Sequence, residues 1–178
     1  DQNQHTPFGV SKAAADLYVQ EYAHMYDLTT GVFRMGCITG SAARAVEHHN
    51  WEPFFVKKAL REEQLTLFGY KGKQVRDVIH ARDLARLFLK FVENPRTGEV
   101  YNLGGGRDNS ISLLEAIDFL ENLTGKTMNY EFGAKREADH QWWISNLQKV
   151  KSHFPDWKIE TSVEEIFQEI VEYYQIRL

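Results

Sequence analysis

Apolar positions recur at three- and four-residue steps over 11–26, where Ala14, Leu17, Tyr18, Tyr22 and Met25, with Glu21 among them, form one mostly apolar stripe. Residues so spaced share one face of a 3.6-residue turn, so the pattern predicts a helix. Gly31-Val32-Phe33-Arg34-Met35 then reads as a short strand, ended by Gly36 and Gly40. The stretch 41–50 is polar and loop-like, and 52–63 predicts a second helix with Phe54, Phe55, Val56 and Leu60 apolar. Residues 65–69 read as a strand that runs into the basic turn Tyr70-Lys71-Gly72-Lys73, and 75–79 as a short extended segment.

Over 81–93 the positions Leu84, Leu87, Phe88 and Phe91 mark the buried face of another helix. A strand follows at 99–103 and is broken by Gly104-Gly105-Gly106. Ser112 and Glu115 have capping-box spacing and open a helix that Gly125 closes. Residues 127–132 are a candidate strand. Ser162 and Glu165 repeat the capping-box spacing before a last helix whose stripe is Val163, Ile166, Phe167, Ile170, Val171 and Tyr174. Strands alternating with helices predict an α/β fold with a largely parallel sheet.

Composition narrows the partners more than the fold. Of 178 residues, 43% are apolar and 26% charged, which is a globular rather than a disordered balance. The net charge of -4 comes without a long basic run, which argues against a nucleic-acid backbone as partner. Cys37 is the one cysteine, so no internal disulfide forms, in keeping with a reducing cytoplasm. No apolar run approaches the roughly 18 residues of a membrane span, and no secretory signal is visible. The chain opens Asp1-Gln2-Asn3-Gln4-His5, without Met and close to a strong helical pattern, which reads as a truncated chain.

Candidate chemistry begins at Phe8 and Lys12, four apart at a helix start and so on one face. A Tyr and a Lys so placed exchange protons near neutral pH, because the ammonium lowers the phenol from its usual pKa of about 10. Phe8 cannot do this, and by itself Lys12 reads as a solvated helix lysine sooner than as a reactive one. Arg76 and Arg136 are candidates for gripping a diphosphate, since a guanidinium matches phosphate oxygens with a planar fork. The plain alternative is structural pairing, Arg76 with Asp77 or Arg136 with Asp139. Asp83 reads as support for a helix start. Asp77 with His80 forms an acid–base or metal pair on paper, but no further ligand set has suitable spacing, and His48-His49 lie in a polar loop, so no metal site is expected. The three glycines lack a dinucleotide fingerprint, because Asn109 stands where its last Gly belongs; they read as a flexible strand exit. Trp142 and Trp143 read as core or lobe packing rather than as stacking groups for a base.

Five segments in order carry a family resemblance over nearly the whole chain. Thr6-Pro7-Phe8-Gly9-Val10-Ser11-Lys12 resembles the Tyr-x-x-x-Lys active-site helix of the extended short-chain dehydrogenase/reductases, with Phe8 a departure. Phe33-Arg34-Met35-Gly36-Cys37-Ile38-Thr39-Gly40 resembles the strand and loop after that helix. The run 68–83, from Phe68-Gly69-Tyr70 through Lys73-Gln74-Val75-Arg76-Asp77 to Asp83, resembles the family's sugar-nucleotide segment. Gly98-Glu99-Val100-Tyr101-Asn102-Leu103-Gly104-Gly105 resembles the strand that returns to the sheet, and Arg136-Glu137-Ala138-Asp139 a later Arg-x-x-Asp element. Within the NAD-dependent epimerase/dehydratase family the run from Phe68 most resembles the CDP-paratose 2-epimerase (CDP-tyvelose epimerase) branch.

The resemblance implies the C-terminal part of a Rossmann-type parallel sheet with a smaller α/β substrate-binding lobe. It assigns 1–40 and 75–106 to a remnant of the dinucleotide-binding domain, and 41–74 and 107–178 to the sugar-nucleotide lobe. It implies NAD as cofactor, with the main cofactor-binding half absent from this chain and Lys12 and Arg34 on the cofactor side. It places Lys12 at the catalytic centre, with Phe8 at the family's tyrosine position. It places Arg76, Arg136, Phe68, Tyr70 and Lys73 on a nucleotide-sugar, CDP-linked by the branch resemblance. The implied reaction oxidises a sugar carbon transiently and returns hydride to its other face; a non-catalytic binding relative and a related dehydratase or reductase remain alternatives. A homodimer through the helix bearing Lys12 is also implied, burial of that stripe in the subunit's own core being the equal alternative.

Overall fold

The structure, a computed structural model, describes residues 5–43, 50–136 and 138–178, so the His48-His49 pair lies outside the described residues. Helix α1 (Pro7–Tyr26) starts where Thr6 accepts the Gly9 N–H at 3.1 Å and Pro7 occupies the first turn, a position that needs no N–H partner. Strand β1 (Gly31–Met35) follows, and after Gly36 the chain continues as β2 (Cys37–Thr39). Helix α2 (Trp51–Arg61), β3 (Leu65–Leu67), β4 (Val75–His80) and α3 (Ala81–Glu93) come next. Then follow β5 (Glu99–Leu103), β6 (Ser110–Ser112), α4 (Leu113–Thr124), β7 (Tyr130–Phe132), β8 (Trp142–Trp143), α5 (Gln148–His153) and α6 (Val163–Gln175).

Among the described residues the strands form three small sheets whose pairing is largely parallel, as the alternation of elements predicts. β1 pairs with β5 from Gly31↔Glu99 to Met35↔Leu103. β2 pairs with β4 and β3 with β7, both parallel, while β6 runs antiparallel to the start of β4. Gly36 lets the chain change partners between β1 and β2: its N–H still reaches the Leu103 carbonyl at 2.8 Å, and a Cβ there would lie 2.5 Å from Asp77 Oδ1.

β4 is the wall between two cores. Its successive residues point to opposite faces, so Val78 packs with the cluster of α2, α4 and α6 while Ile79 packs with Leu87, Tyr101 and Leu103. Leu147, Val150, Phe154 and Trp157 join this second cluster, so the segment around α5 packs back on the β1–β5 side. Both capping boxes form, with Ser112 and Ser162 each accepting the N–H of the glutamate three residues on and that glutamate accepting the serine N–H in return. All six stripe residues of α6 are buried.

Several expectations change. The stripe of α1 is mostly exposed: Leu17, Tyr18, Tyr22 and Met25 face outward and only Ala23 is buried. Periodicity shows that a helix has an apolar face, not what covers it. Trp142 and Trp143 are not core residues; they are 71% and 41% exposed on β8, at the edge of β4. The three glycines are a close-packed turn rather than a flexible exit, since a Cβ on Gly105 would lie 2.1 Å from the Val78 carbonyl oxygen and one on Gly104 2.2 Å from Asp77 Oδ2. Strands β2, β6 and β8 and helix α5 were not predicted, because two to six residues are too few to display a period. No helix among the described residues is long and apolar enough to cross a membrane.

Candidate functional site

Two adjoining cavities open along β4 and share Cys37, Arg76 and Asp139. The first, of about 250 Å³, has an aromatic wall of Trp51, Phe54, Phe55 and Phe68, with Arg76 and Arg136 beside it. The second, of about 280 Å³, lies beyond the end of β1 against Met35, Gly36, His140 and Trp143. Ligands of open α/β sheets bind beyond the carboxyl ends of the strands, where this groove begins.

The local sequence explains how these side chains converge. Gln74, just before β4, and Arg76 on it are two apart and both line the first cavity, whereas Asp77 faces the other way. The buried Asp77 accepts the Gly106 and Ser145 N–H groups through Oδ2, at 3.0 and 2.9 Å, which closes the glycine turn. Arg76 therefore does not pair with Asp77, nor Arg136 with Asp139, as neighbouring positions suggest. Arg76 pairs across the groove with Asp139, Nη2 to Oδ1 at 2.7 Å. The Arg136 guanidinium stands 5.0 Å over the Phe68 ring, and the two define one end of the cavity.

The remaining expected site residues lie elsewhere. Tyr70 and Lys73 are exposed on a tight turn held by the Lys73 N–H to the Tyr70 carbonyl at 3.0 Å, and line neither cavity. Lys12 and Phe8 are exposed on α1, with Lys12 Nζ 5.4 Å from the Phe8 ring centre, and they too lie outside both cavities. Arg34 is a tie between β1 and α1. Its Nε and Nη2 donate to Asp16 at 2.6 and 3.1 Å, and this contact holds the Asp16 carboxyl below its ordinary value.

Asp83 does more than support a helix start. It is fully buried, accepts the Thr161 N–H at 3.1 Å and the Glu160 N–H at 3.3 Å, and pairs with Arg86. His80 caps α3 by accepting the Arg82 N–H at Nδ1, 3.0 Å away. That assigns the proton to Nε2, which meets Glu169 Oε1 at 3.3 Å. Burial alone would raise the Glu169 carboxyl, but hydrogen bonds from Ser41 and His80 hold it below its usual value. Among the described residues no group of three or more His, Cys, Asp or Glu side chains could hold a metal.

Two residues beside the groove carry no signal in the sequence. Glu52, in the first turn of α2, is fully buried with neither carboxyl oxygen hydrogen-bonded. Burial pushes its pKa up to about 8. Burial, with Glu52 nearby, also pushes the Cys37 thiol up to about 12, which disfavours its thiolate.

The model of the NAD dependent epimerase/dehydratase family matches residues 1–104. A CDP-paratose 2-epimerase of Salmonella typhi is 32% identical over 176 residues, covering 95% of this chain and 52% of the relative. A UDP-glucuronate 4-epimerase of Thermodesulfobacterium geofontis is 32% identical over 161 residues, covering 90% of this chain and 47% of the relative. The chain thus spans about half the length of these curated relatives. The crystal structure of a Thermotoga maritima UDP-glucose 4-epimerase with UDP-glucose superposes with a TM-score of 0.85 at 25% identity, over 98% of this chain and 55% of that one. A Bacillus anthracis dTDP-glucose 4,6-dehydratase in complex with NAD superposes with a TM-score of 0.82 at 29% identity, over 97% and 53%. A family model that matches more than half of the chain, on a fold shared over nearly all of it, makes this chain a member of the NAD dependent epimerase/dehydratase family.

Proposed function

We propose that these residues form the sugar-nucleotide site of an NAD-dependent epimerase, with a CDP-sugar as substrate. The observation that carries this reading is the convergence of Arg76, Arg136 and an aromatic wall on one cavity. Guanidinium groups suit a diphosphate and aromatic faces suit a base. The cytidine assignment is supported by the Salmonella typhi relative named for a CDP-sugar. The second cavity, beyond Arg76, takes the sugar. Residues 1–40 and 75–106 belong with the dinucleotide-binding domain, and 41–74 and 107–178 with the sugar-nucleotide lobe, apart from the segment around α5, which packs on the β1–β5 side. The exposed apolar stripe of α1 supports a homodimer, and the single free thiol, of Cys37, suits the cytoplasm.

The glycine-rich turn at 104–106 does not fit the pyrophosphate of the dinucleotide, because it is closed by the Asp77 carboxylate and the Val78 carbonyl, both of which repel an anion. What this chain contributes is grip and orientation of the substrate. Replacing Arg136 by methionine in the complete protein should weaken CDP binding about 10- to 100-fold, the weight of a charged hydrogen-bonded contact. Calorimetry showing unchanged affinity would remove this site from consideration. Incubating the protein with a CDP-sugar and NAD, and following the configuration of the sugar, separates an epimerase from a dehydratase.

A second reading, a binding protein without redox chemistry, is favoured by Phe8, which places no exchangeable proton beside Lys12. Phe8→Tyr in the complete protein should raise turnover about 100-fold, the usual weight of a general acid–base group. An unchanged or lower rate would show that Phe8 serves a differently built centre.

A further inference from the structure

Arg76 sits where the two cavities meet, but both hydrogens of its Nη2 are already donated. Its Nη1 donates to the Val75 carbonyl at 2.8 Å. Its Nη2 donates to Asp139 Oδ1 and to the His140 carbonyl, each at 2.7 Å. A guanidinium offers two edges for a two-point grip on an anion, Nη1 with Nη2 and Nε with Nη2. Both edges need Nη2, and both of its hydrogens are donated. A phosphate therefore cannot take Arg76 in the two-point manner until Asp139 or the His140 carbonyl lets go.

The contact is not a loose surface pair. The Arg76 and Asp139 side chains are 17% and 25% exposed, so water screens them only in part. Asp139 is also not needed to hold its own stretch of chain. The Val75 N–H reaches the Gln141 carbonyl at 2.9 Å, and β8 runs on beside β4 through Val75↔Trp142 and Arg76↔Trp143.

We infer that Asp139 is a built-in competitor for Arg76, an autoinhibitory contact that an incoming diphosphate must displace. The inference rests on the sugar-nucleotide reading of this groove. The carboxylate and the phosphate are both anions seeking the same Nη2 hydrogen, so the occupied guanidinium sets a threshold: weak single-charge anions leave the pair intact, while a diphosphate replaces it.

The test titrates the complete protein with inorganic pyrophosphate and with CDP, comparing wild type with Asp139→Asn and Asp139→Ala. Both variants should bind both ligands about 5- to 10-fold more tightly, a coupling of ordinary size. The asparagine keeps the shape of the loop, and the alanine removes the acceptor altogether. Equal or weaker binding in both variants would show that Asp139 orients Arg76 for the ligand, and would overturn the competition. If wild type and variants, with native tryptophan fluorescence, bind neither ligand, the sugar-nucleotide reading falls and takes this inference with it.

Discussion

Glu52→Gln should stabilise the fold by about 3 kcal/mol at pH 7 and flatten its dependence on pH. Glu52 is fully buried with both carboxyl oxygens unpartnered, and its pKa is pushed from the ordinary 4.5 up to about 8. The folded state therefore keeps a proton that the unfolded chain releases. The contribution of this group to stability is fully present below pH 4.5 and is lost as pH rises, at about 1.4 kcal/mol per pH unit, until it levels off above pH 8. This is the reverse of the usual salt-bridged carboxylate. Glutamine keeps the shape and removes the titration, so the variant's curve should stay level over that window. Urea unfolding at pH 5, 7 and 8.5, followed by tryptophan fluorescence, measures it. Parallel curves for the two proteins would sink the claim. Trp51 and Phe54, which wall the first cavity, flank Glu52 on α2. Loss of the proton at alkaline pH should therefore weaken the nucleotide binding proposed for this cavity together with stability.

What the chain reveals before folding, and what it conceals, follows from range. α4 and α6 were legible because their caps and stripes lie within a few residues of one another, and local rules decide them. Arg76, Arg136 and Phe68 were legible as a group through the family resemblance, and they do meet on one cavity. The partner of Arg76 was not legible. Proximity in sequence pointed to Asp77, but strand alternation turns Asp77 to the opposite face, and Asp139 comes from 63 residues away. Glu52 was concealed for a related reason. An acid in the first turn of a helix reads as a solvated group that favours the dipole, and only tertiary packing buries it. The glycines at 104 and 105 suggested freedom, whereas their small size serves the close approach of Val78 and Asp77. The α1 stripe shows the converse limit, a clear local pattern whose cover is not set by the pattern itself.

Asp83→Ala should cost about 3–5 kcal/mol, the loss expected when one partner of a buried charged network is removed. Typical domains hold only about 5–15 kcal/mol in total, so this variant would be marginal. The carboxylate is fully buried and holds two backbone N–H groups, of Glu160 and Thr161, besides the Arg86 side chain. The Asp83 backbone carbonyl accepts the Trp157 indole N–H at 2.9 Å. Asp83 thus fastens the start of α3, on the β1–β5 side, to the segment that enters α6, on the helical side. Alanine leaves the Glu160 and Thr161 amides without that acceptor in the seam between the two cores, while the Arg86 guanidinium keeps its contact with the Glu160 carboxylate at 3.0 Å. Asp83→Asn, which keeps one acceptor oxygen, should lose about half as much. Denaturant unfolding gives both numbers, and amide exchange at Glu160 and Thr161 should speed up in the alanine variant well before global unfolding. If alanine costs less than about 1 kcal/mol, the seam is held by packing of Trp157 and Leu84 rather than by charge. Asp83 would then revert to an ordinary first-turn acid.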